Sequence, residues 1–150
     1  KTVAKLAKHQ NIIGIKDATG DMSNLSDLKI LCKKEISNNN FSLFSGDDFT
    51  SLEFIANGGD GTISVNSNIV PKIVSDICEL VSKDYFAAKS LDDSLQELNK
   101  YLFIESNPIP VKWALYRMGM IKDGIRLPLL KLNDKFKIPL ETCLEKLQLI

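Results

Sequence analysis

The stretch NIIGIKDATGD, residues 11–21, decides the fold, because a short apolar run ends there in a lysine and a small polar turn. The run Ile12–Lys16 is too short for a helix, and it predicts a strand buried on both faces of a parallel sheet. Two further runs of the same character follow, Phe41–Ser45 and Thr62–Val65, with helix-like segments between them. Strands that alternate with helices in this way predict an α/β fold.

The helices after each run are predicted from their caps and their apolar spacing. Asp21 or Ser23 is placed to cap the first, Asp47 or Asp48 the second, and Pro71 stands at the first position of the third. The apolar positions at helical spacing are Met22, Leu25, Leu28, Leu31 and Cys32, then Leu52, Ile55 and Ala56, then Val74, Ile77, Cys78 and Val81. A strand followed by a helix therefore repeats three times.

The pattern changes at about residue 84, after which no strand is predicted. Three helical segments follow, and their apolar stripes are Leu91, Leu95, Leu98 and Leu102, then Trp113, Ala114, Leu115 and Met118, then Leu140, Cys143, Leu144 and Leu147. Three parallel strands cannot close a (β/α)8 TIM barrel, which needs about 250 residues. We therefore expect part of a larger barrel in residues 1–83, and a C-terminal helical domain in residues 84–150.

Composition excludes several classes of partner. Nineteen basic and nineteen acidic residues cancel and are interleaved, so no basic surface for nucleic acid or an anionic membrane is predicted. No apolar run is long enough to span a bilayer, and a cytoplasmic location is expected by default. Cys32, Cys78 and Cys143 are widely spaced and are expected to be buried free thiols, and the single histidine, His9, is expected at the surface. No metal site or histidine-based triad is predicted.

Lys16 is the main candidate for chemistry. It stands at the carboxyl end of a predicted barrel strand, which is the end where such barrels place their active sites. A lysine held in a dry pocket loses its charge more easily, and the neutral amine attacks a ketone to form a Schiff base. The structural alternative is a lysine that leaves the strand for solvent, beside Asp17. From this stretch alone, both interpretations stay open.

Three other motifs have structural and functional interpretations. In SGDD, residues 45–48, two carboxylates are a weak metal signal, and helix capping is the favoured alternative. In GGDG, residues 58–61, the position before a strand favours a helix stop and a turn over a phosphate site. In TISVNSN, residues 62–68, the strand is expected to bring residues 63–67 to the active end, where strand carbonyls and amides could hold a substrate that carries a small carboxylate.

Five motifs together point to a family. GIKDATGD, LFSGDD, GGDGTISVNSNIVP, NPIPVKWAL and IRLPLL, in this order, resemble the dihydrodipicolinate synthase family over essentially the whole chain. The resemblance implies the second half of a family member, with strands six to eight of the TIM barrel followed by the C-terminal helices.

The resemblance also implies an activity. Lys16 would form a Schiff base with pyruvate, and the resulting enamine would attack aspartate semialdehyde on the path to lysine, with no cofactor and no metal. By the same resemblance, Gly46 and the main chain of Ile63 line the pyruvate pocket and Thr19 lies near it. The family's tyrosine and hydroxyl proton relay and its entrance arginine come from earlier strands, so this piece alone is expected to be nearly inactive. A homo-oligomer, a dimer or tetramer of the full-length chain, is also implied.

Two alternatives remain open. A related lyase of the N-acetylneuraminate lyase type shares the barrel and the Schiff-base lysine, and would cleave a sugar acid instead. A non-catalytic assembly fragment would keep the barrel sequence only for its packing.

Overall fold

The computed structural model describes residues 1–150 and contains a parallel sheet and nine helices. The strands are β1 (Gly14–Asp17), β2 (Ser42–Ser45) and β3 (Gly61–Thr62). The helices are α1 (Thr2–Leu6), α2 (Met22–Leu31), α3 (Lys33–Ser37), α4 (Ser51–Ala56), α5 (Pro71–Leu80), α6 (Tyr85–Ser94), α7 (Gln96–Leu102), α8 (Ile109–Arg117) and α9 (Asp134–Lys146). A 3₁₀ turn at Asn66–Asn68 lies between β3 and α5. The predicted α/β class is confirmed.

The residues fall into two compact units. The first, called here the sheet unit, comprises residues 1–64 and 76–89, and the second, the helical unit, comprises residues 65–75 and 90–150. None of the helices is both long enough and apolar enough to cross a bilayer.

The sheet has the order β1-β2-β3, and both pairs of strands are parallel. Lys16 lies opposite Phe44, and Phe44 lies opposite Gly61, so these three positions share one face of the sheet. Since side chains alternate along a strand, Ile15 and Leu43 point to the other face. The sheet topology is that of strands joined by helical crossovers.

The core of the sheet unit lies between the sheet and the helices on one side. Its buried members are Ala7, Leu25, Leu28, Cys32, Phe41, Leu43 and Phe54, and Ile15 packs against them. The opposite face is open, because Lys16 is exposed and Ser42 and Phe44 are only partly buried. The prediction of strands buried on both faces is therefore wrong for this chain.

The third strand is shorter than its apolar run suggests. The predicted strand extended from Thr62 to Val65, whereas β3 ends at Thr62 and Asn66 begins the 3₁₀ turn. The physical reason is that β2, the strand beside β3, ends at Ser45. The ladder of hydrogen bonds therefore finishes where the Ile63 N–H donates to the Ser45 carbonyl at 2.8 Å. Beyond Ile63 there is no strand left to pair with.

The start of α2, the start of α5 and the end of α8 follow the predicted chemistry, whereas the N-cap of α4 is Thr50, with no side-chain cap hydrogen bond, instead of the predicted Asp47 or Asp48. The Asp21 side chain accepts a hydrogen bond from the Ser23 N–H at 2.9 Å and starts α2, and Ser23 itself is not the cap. Hydrogen bonding from the Ser23 side chain, and then from its backbone N–H, lowers the pKa of Asp21. Pro71 is the first residue of α5, as predicted. Gly119, at φ +72°, ends α8 with its N–H bonded to the Tyr116 carbonyl at 3.0 Å.

The helical unit has a core built from the predicted leucine stripes. Its fully buried apolar side chains include Leu95, Leu98, Leu102, Ala114, Leu140 and Leu144. Asn66 donates its side-chain amide to the side chain of Asn99 within this core. Outside the core, Lys146 of α9 pairs with Glu97 of α7 at 2.9 Å. Helix α9 includes Pro139 in its interior.

The three cysteines are free thiols. Cys32 and Cys143 are buried as predicted, whereas Cys78 is only half-buried. Burial raises the pKa of all three, and it raises that of Cys143 to about 11. His9 is exposed, and its Nδ1 accepts a hydrogen bond from the Asn11 N–H at 3.2 Å.

Candidate functional site

The carboxyl ends of the three strands meet around Lys16. Gly46 directly follows β2, and its N–H donates to the Asp17 carbonyl at 2.7 Å. Ile63 directly follows β3, and its N–H donates to the Ser45 carbonyl. These bonds continue the ladder one residue past each strand, so the structure brings Lys16, Gly46 and Ile63 to one edge of the sheet. In a parallel sheet this is the edge where ligands bind.

The stem of Lys16 lies against the backbone of Gly46. A Cβ added to Gly46 would stand 2.4 Å from the Lys16 Cε and 2.9 Å from its Cγ. It would also stand 2.9 Å from the Cβ of Ala18. Any side chain at position 46 would therefore displace the lysine, so the glycine is needed for close approach rather than for a left-handed backbone angle.

Lys16 lines an open cavity of about 610 Å³ in the sheet unit. Asp17, Ala18 and Thr19 line the same cavity, together with residues of α1 and α2. The volume lies within the roughly 300 to 1,000 Å³ of ordinary small-molecule sites. Lys16 and Thr19 are both exposed, and Gly46 and Ile63 do not line this cavity.

Thr19 has its hydroxyl committed to the turn after β1. The hydroxyl donates to the Asp17 Oδ1 at 2.7 Å and accepts from the Asn24 side-chain amide at 3.0 Å and the Asp21 N–H at 3.2 Å. The Thr19 N–H also donates to the Asp17 Oδ1, at 3.0 Å. Thr19 thus fixes the path of the chain directly after the lysine, and its hydroxyl proton is already donated to Asp17.

Ile63 offers one main-chain group to a ligand. Its N–H is used in the ladder, whereas its carbonyl accepts no hydrogen bond within the chain, and the residue is 51% exposed. A ligand at this position would therefore meet an acceptor, and would have to bring a donor such as a hydroxyl or a protonated imine.

The acidic and glycine motifs have structural roles. The Asp47 carboxylate accepts from the Thr50 N–H at 3.1 Å and from the Thr50 hydroxyl at 2.8 Å, so it caps the turn that precedes α4. Gly58, at φ +96°, and Gly59 donate their N–H groups to carbonyls of α4 and end that helix. No group of three or more His, Cys, Asp or Glu side chains is arranged to hold a metal ion.

The sequence reasoning missed two residues of this site. Phe44 lies opposite Lys16 on the open face, and Asp17 holds the Thr19 turn with its carboxylate. Strand alternation places Phe44 on one face of β2, but only the register between β1 and β2 shows that Phe44 is the residue beside the lysine.

Comparison with known proteins identifies the family. The model of the Dihydrodipicolinate synthetase family matches residues 1–147. The chain belongs to this family. A dihydrodipicolinate synthetase family relative from Shewanella pealeana, a 4-hydroxy-tetrahydrodipicolinate synthase, is 50% identical over 91% of this chain and 45% of its own length. A relative of the same name from Buchnera aphidicola is 46% identical over 99% of this chain and 49% of its own length.

Solved structures of the family have the same fold. The chloride-inhibited dihydrodipicolinate synthase of Acinetobacter baumannii, complexed with pyruvate, matches 99% of this chain and 50% of its own with 44% identity and a TM-score of 0.91. The Thermotoga maritima enzyme matches the same shares with 34% identity and a TM-score of 0.91. The chain thus spans about half the length of the dihydrodipicolinate synthases it matches.

Proposed function

We propose that the protein containing this chain is a 4-hydroxy-tetrahydrodipicolinate synthase, which condenses pyruvate with aspartate semialdehyde through a Schiff base on Lys16. The observation that carries the proposal is the contact of Lys16 with Gly46 at the carboxyl edge of a parallel sheet. It is supported by the family and by the pyruvate complex of the Acinetobacter baumannii relative.

The chemistry assigned to Lys16 is that of a class I aldolase. The unprotonated Nζ adds to the ketone carbon of pyruvate, and the ketone oxygen leaves as water to give a protonated imine. Loss of a proton from the methyl carbon gives the enamine, which forms a carbon–carbon bond to the aldehyde of aspartate semialdehyde. Transfer of the imine carbon to an internal amine or to water then frees Lys16. No cofactor or metal takes part in these steps.

Each neighbour of Lys16 receives a role from its contacts. Gly46 leaves room for the lysine stem, and the Ile63 carbonyl would accept a hydrogen bond from the protonated imine that pyruvate forms with Lys16. Thr19 holds the turn after the lysine through Asp17, so we assign it positioning near the pyruvate rather than proton donation. As the family resemblance implies, we assign the proton transfers to residues of earlier strands.

The architecture proposed for the whole protein is a TIM barrel. Residues 1–83 would be its last three strand and helix units, strands six to eight, and residues 84–150 a C-terminal helical domain. The open outer edge of β1 and the open face around Lys16 and Phe44 support this, because a barrel would pair the edge and cover the face. A chain without the earlier strands of the barrel should be nearly inactive, since positioned acids and bases accelerate such reactions by about 10² to 10⁴-fold.

The same proposal covers assembly and location. A homo-oligomer, dimer or tetramer, is expected for the full-length chain, and sedimentation of that chain tests it. A cytoplasmic location agrees with three free thiols and no disulfide.

Turnover by the full-length protein tests the activity. Purified protein is mixed with pyruvate and aspartate semialdehyde in one reaction, and with N-acetylneuraminate in another. The proposal predicts consumption of the first pair only. Cleavage of the sugar acid without the condensation would assign the protein to the lyases.

A further inference from the structure

A second cavity, in the helical unit, has a lining unlike that of the Lys16 site. It measures about 200 Å³ and lies between α8, the segment 123–132 and α9. Helix α8 contributes Ile109, Trp113 and Tyr116, which are spaced four and three residues apart and so share one helix face. These three side chains form an apolar and aromatic wall.

Three ammonium groups also line this cavity. The Lys131 Nζ pairs with the Asp123 carboxylate at 2.6 Å, and the Lys137 Nζ pairs with the Asp134 carboxylate at 2.6 Å. Lys112 is half-buried, and its ammonium has no hydrogen-bond or ion-pair partner in the chain. Because a partly desolvated charge gains most from an opposite charge, Lys112 is the group that an anion would bind.

The aromatic wall is held in place before any ligand arrives. The Arg117 guanidinium lies 6.0 Å from the centroid of the Trp113 ring and pairs with Glu141 of α9. Leu132, 3% exposed, lies in the same lining. A wall that is already ordered loses little conformational entropy when it binds a ligand.

We propose that this cavity is a binding site for a small organic carboxylate with a flat apolar body. The carboxylate would pair with Lys112, and the flat body would pack against Trp113 and Tyr116. The volume is below the roughly 300 to 1,000 Å³ typical of sites for drug-sized ligands, which restricts the ligand to one ring or a short chain. Inorganic phosphate would satisfy the charge but would leave the aromatic wall without a contact.

The test uses sodium benzoate as the probe, with the purified protein at constant ionic strength. Heat of binding is measured by calorimetry, and fluorescence of Trp113, the only tryptophan in this chain, reports on the cavity wall. We expect saturable binding with quenching or a shift of the Trp113 emission. Loss of one charge-assisted hydrogen bond in Lys112→Gln is expected to weaken binding by about tenfold or more.

Two variants keep the test specific. Lys122→Gln removes the same charge from an exposed residue outside the lining, and it is expected to bind benzoate as the unaltered protein does. Lys112→Arg keeps the charge and is expected to bind benzoate with an affinity within a fewfold of that of the unaltered protein. Circular dichroism confirms that each variant is folded.

Three results would overturn the proposal. They are the absence of saturable benzoate binding, equal binding of benzoate and inorganic phosphate, and an equal loss of binding in Lys112→Gln and Lys122→Gln. None of these measurements uses pyruvate or Lys16, so failure here would leave the synthase proposal standing, and the reverse also holds.

Discussion

Replacing Gly46 by alanine should disable the Lys16 amine while leaving the rest of the sheet in place. The added Cβ would stand 2.4 Å from the Lys16 Cε, whereas ordinary contact begins at 3.4 Å. The Cε must therefore move by about 1 Å. The added Cβ would also stand 2.9 Å from the Lys16 Cγ and 2.9 Å from the Ala18 Cβ, and these two contacts limit how the lysine can move aside.

The magnitude follows from that displacement. Misplacing a reacting group by about 1 Å costs on the order of 10²-fold in rate, so Gly46→Ala should slow Schiff-base formation with pyruvate by about a hundredfold. Overpacking costs typically about 1 to 3 kcal/mol, but Lys16 is exposed and flexible, so the loss of stability should lie at the lower end.

The assay measures the rate at which borohydride traps pyruvate on the protein, and intact mass monitors the adduct. The free energy of unfolding is measured separately by urea titration. Gly61→Ala in the neighbouring strand is the matched control, because its Cβ would meet Phe44 at an ordinary 3.5 Å. The control should trap pyruvate at nearly the unaltered rate. If Gly46→Ala traps pyruvate as fast as Gly61→Ala, the contact with Gly46 does not position the amine and the reasoning fails.

Two further predictions concern the sheet and the thiols. The Asp60 Oδ2 accepts the N–H of the fully buried Leu43 at 2.7 Å, so Asp60→Ala should cost about 1 to 3 kcal/mol of unfolding free energy. Asp60→Asn, which keeps an acceptor oxygen, should cost less in the same urea titration, and equal losses would contradict this role. The pKa of Cys143 is raised to about 11 by burial, so at pH 8 about one thiol in a thousand is ionised. Alkylation at this pH should leave Cys143 unmodified until the protein unfolds, and rapid labelling under native conditions would contradict its burial.

Local signals in the sequence predicted much of this fold because the chemistry that sets it is local. The cap at Asp21, the proline at the start of α5 and the glycine that ends α8 each act within one turn of the chain. The three apolar runs likewise predicted three strands. The helices between the runs predicted that the strands are parallel, as they are in the structure.

The features that the sequence did not predict depend on contacts between residues that are far apart along the chain. The end of β3 at Thr62 is set by the end of β2, and the exposure of Lys16 depends on which parts of the protein pack against that face of the sheet. The short separation between Lys16 and Gly46 also needs the register of two strands. The committed hydroxyl of Thr19 could not be inferred from spacing alone.

Peptide mapping after pyruvate trapping tests the central claim most directly. The chain is supplied with the segment that precedes it in the full-length protein, incubated with pyruvate and borohydride, and digested. We expect the adduct on Lys16, within residues 14–21, and none in the Lys16→Arg variant. An adduct on a different lysine, or none at all on a protein shown to be folded, would contradict the assignment of Lys16 as the Schiff-base residue.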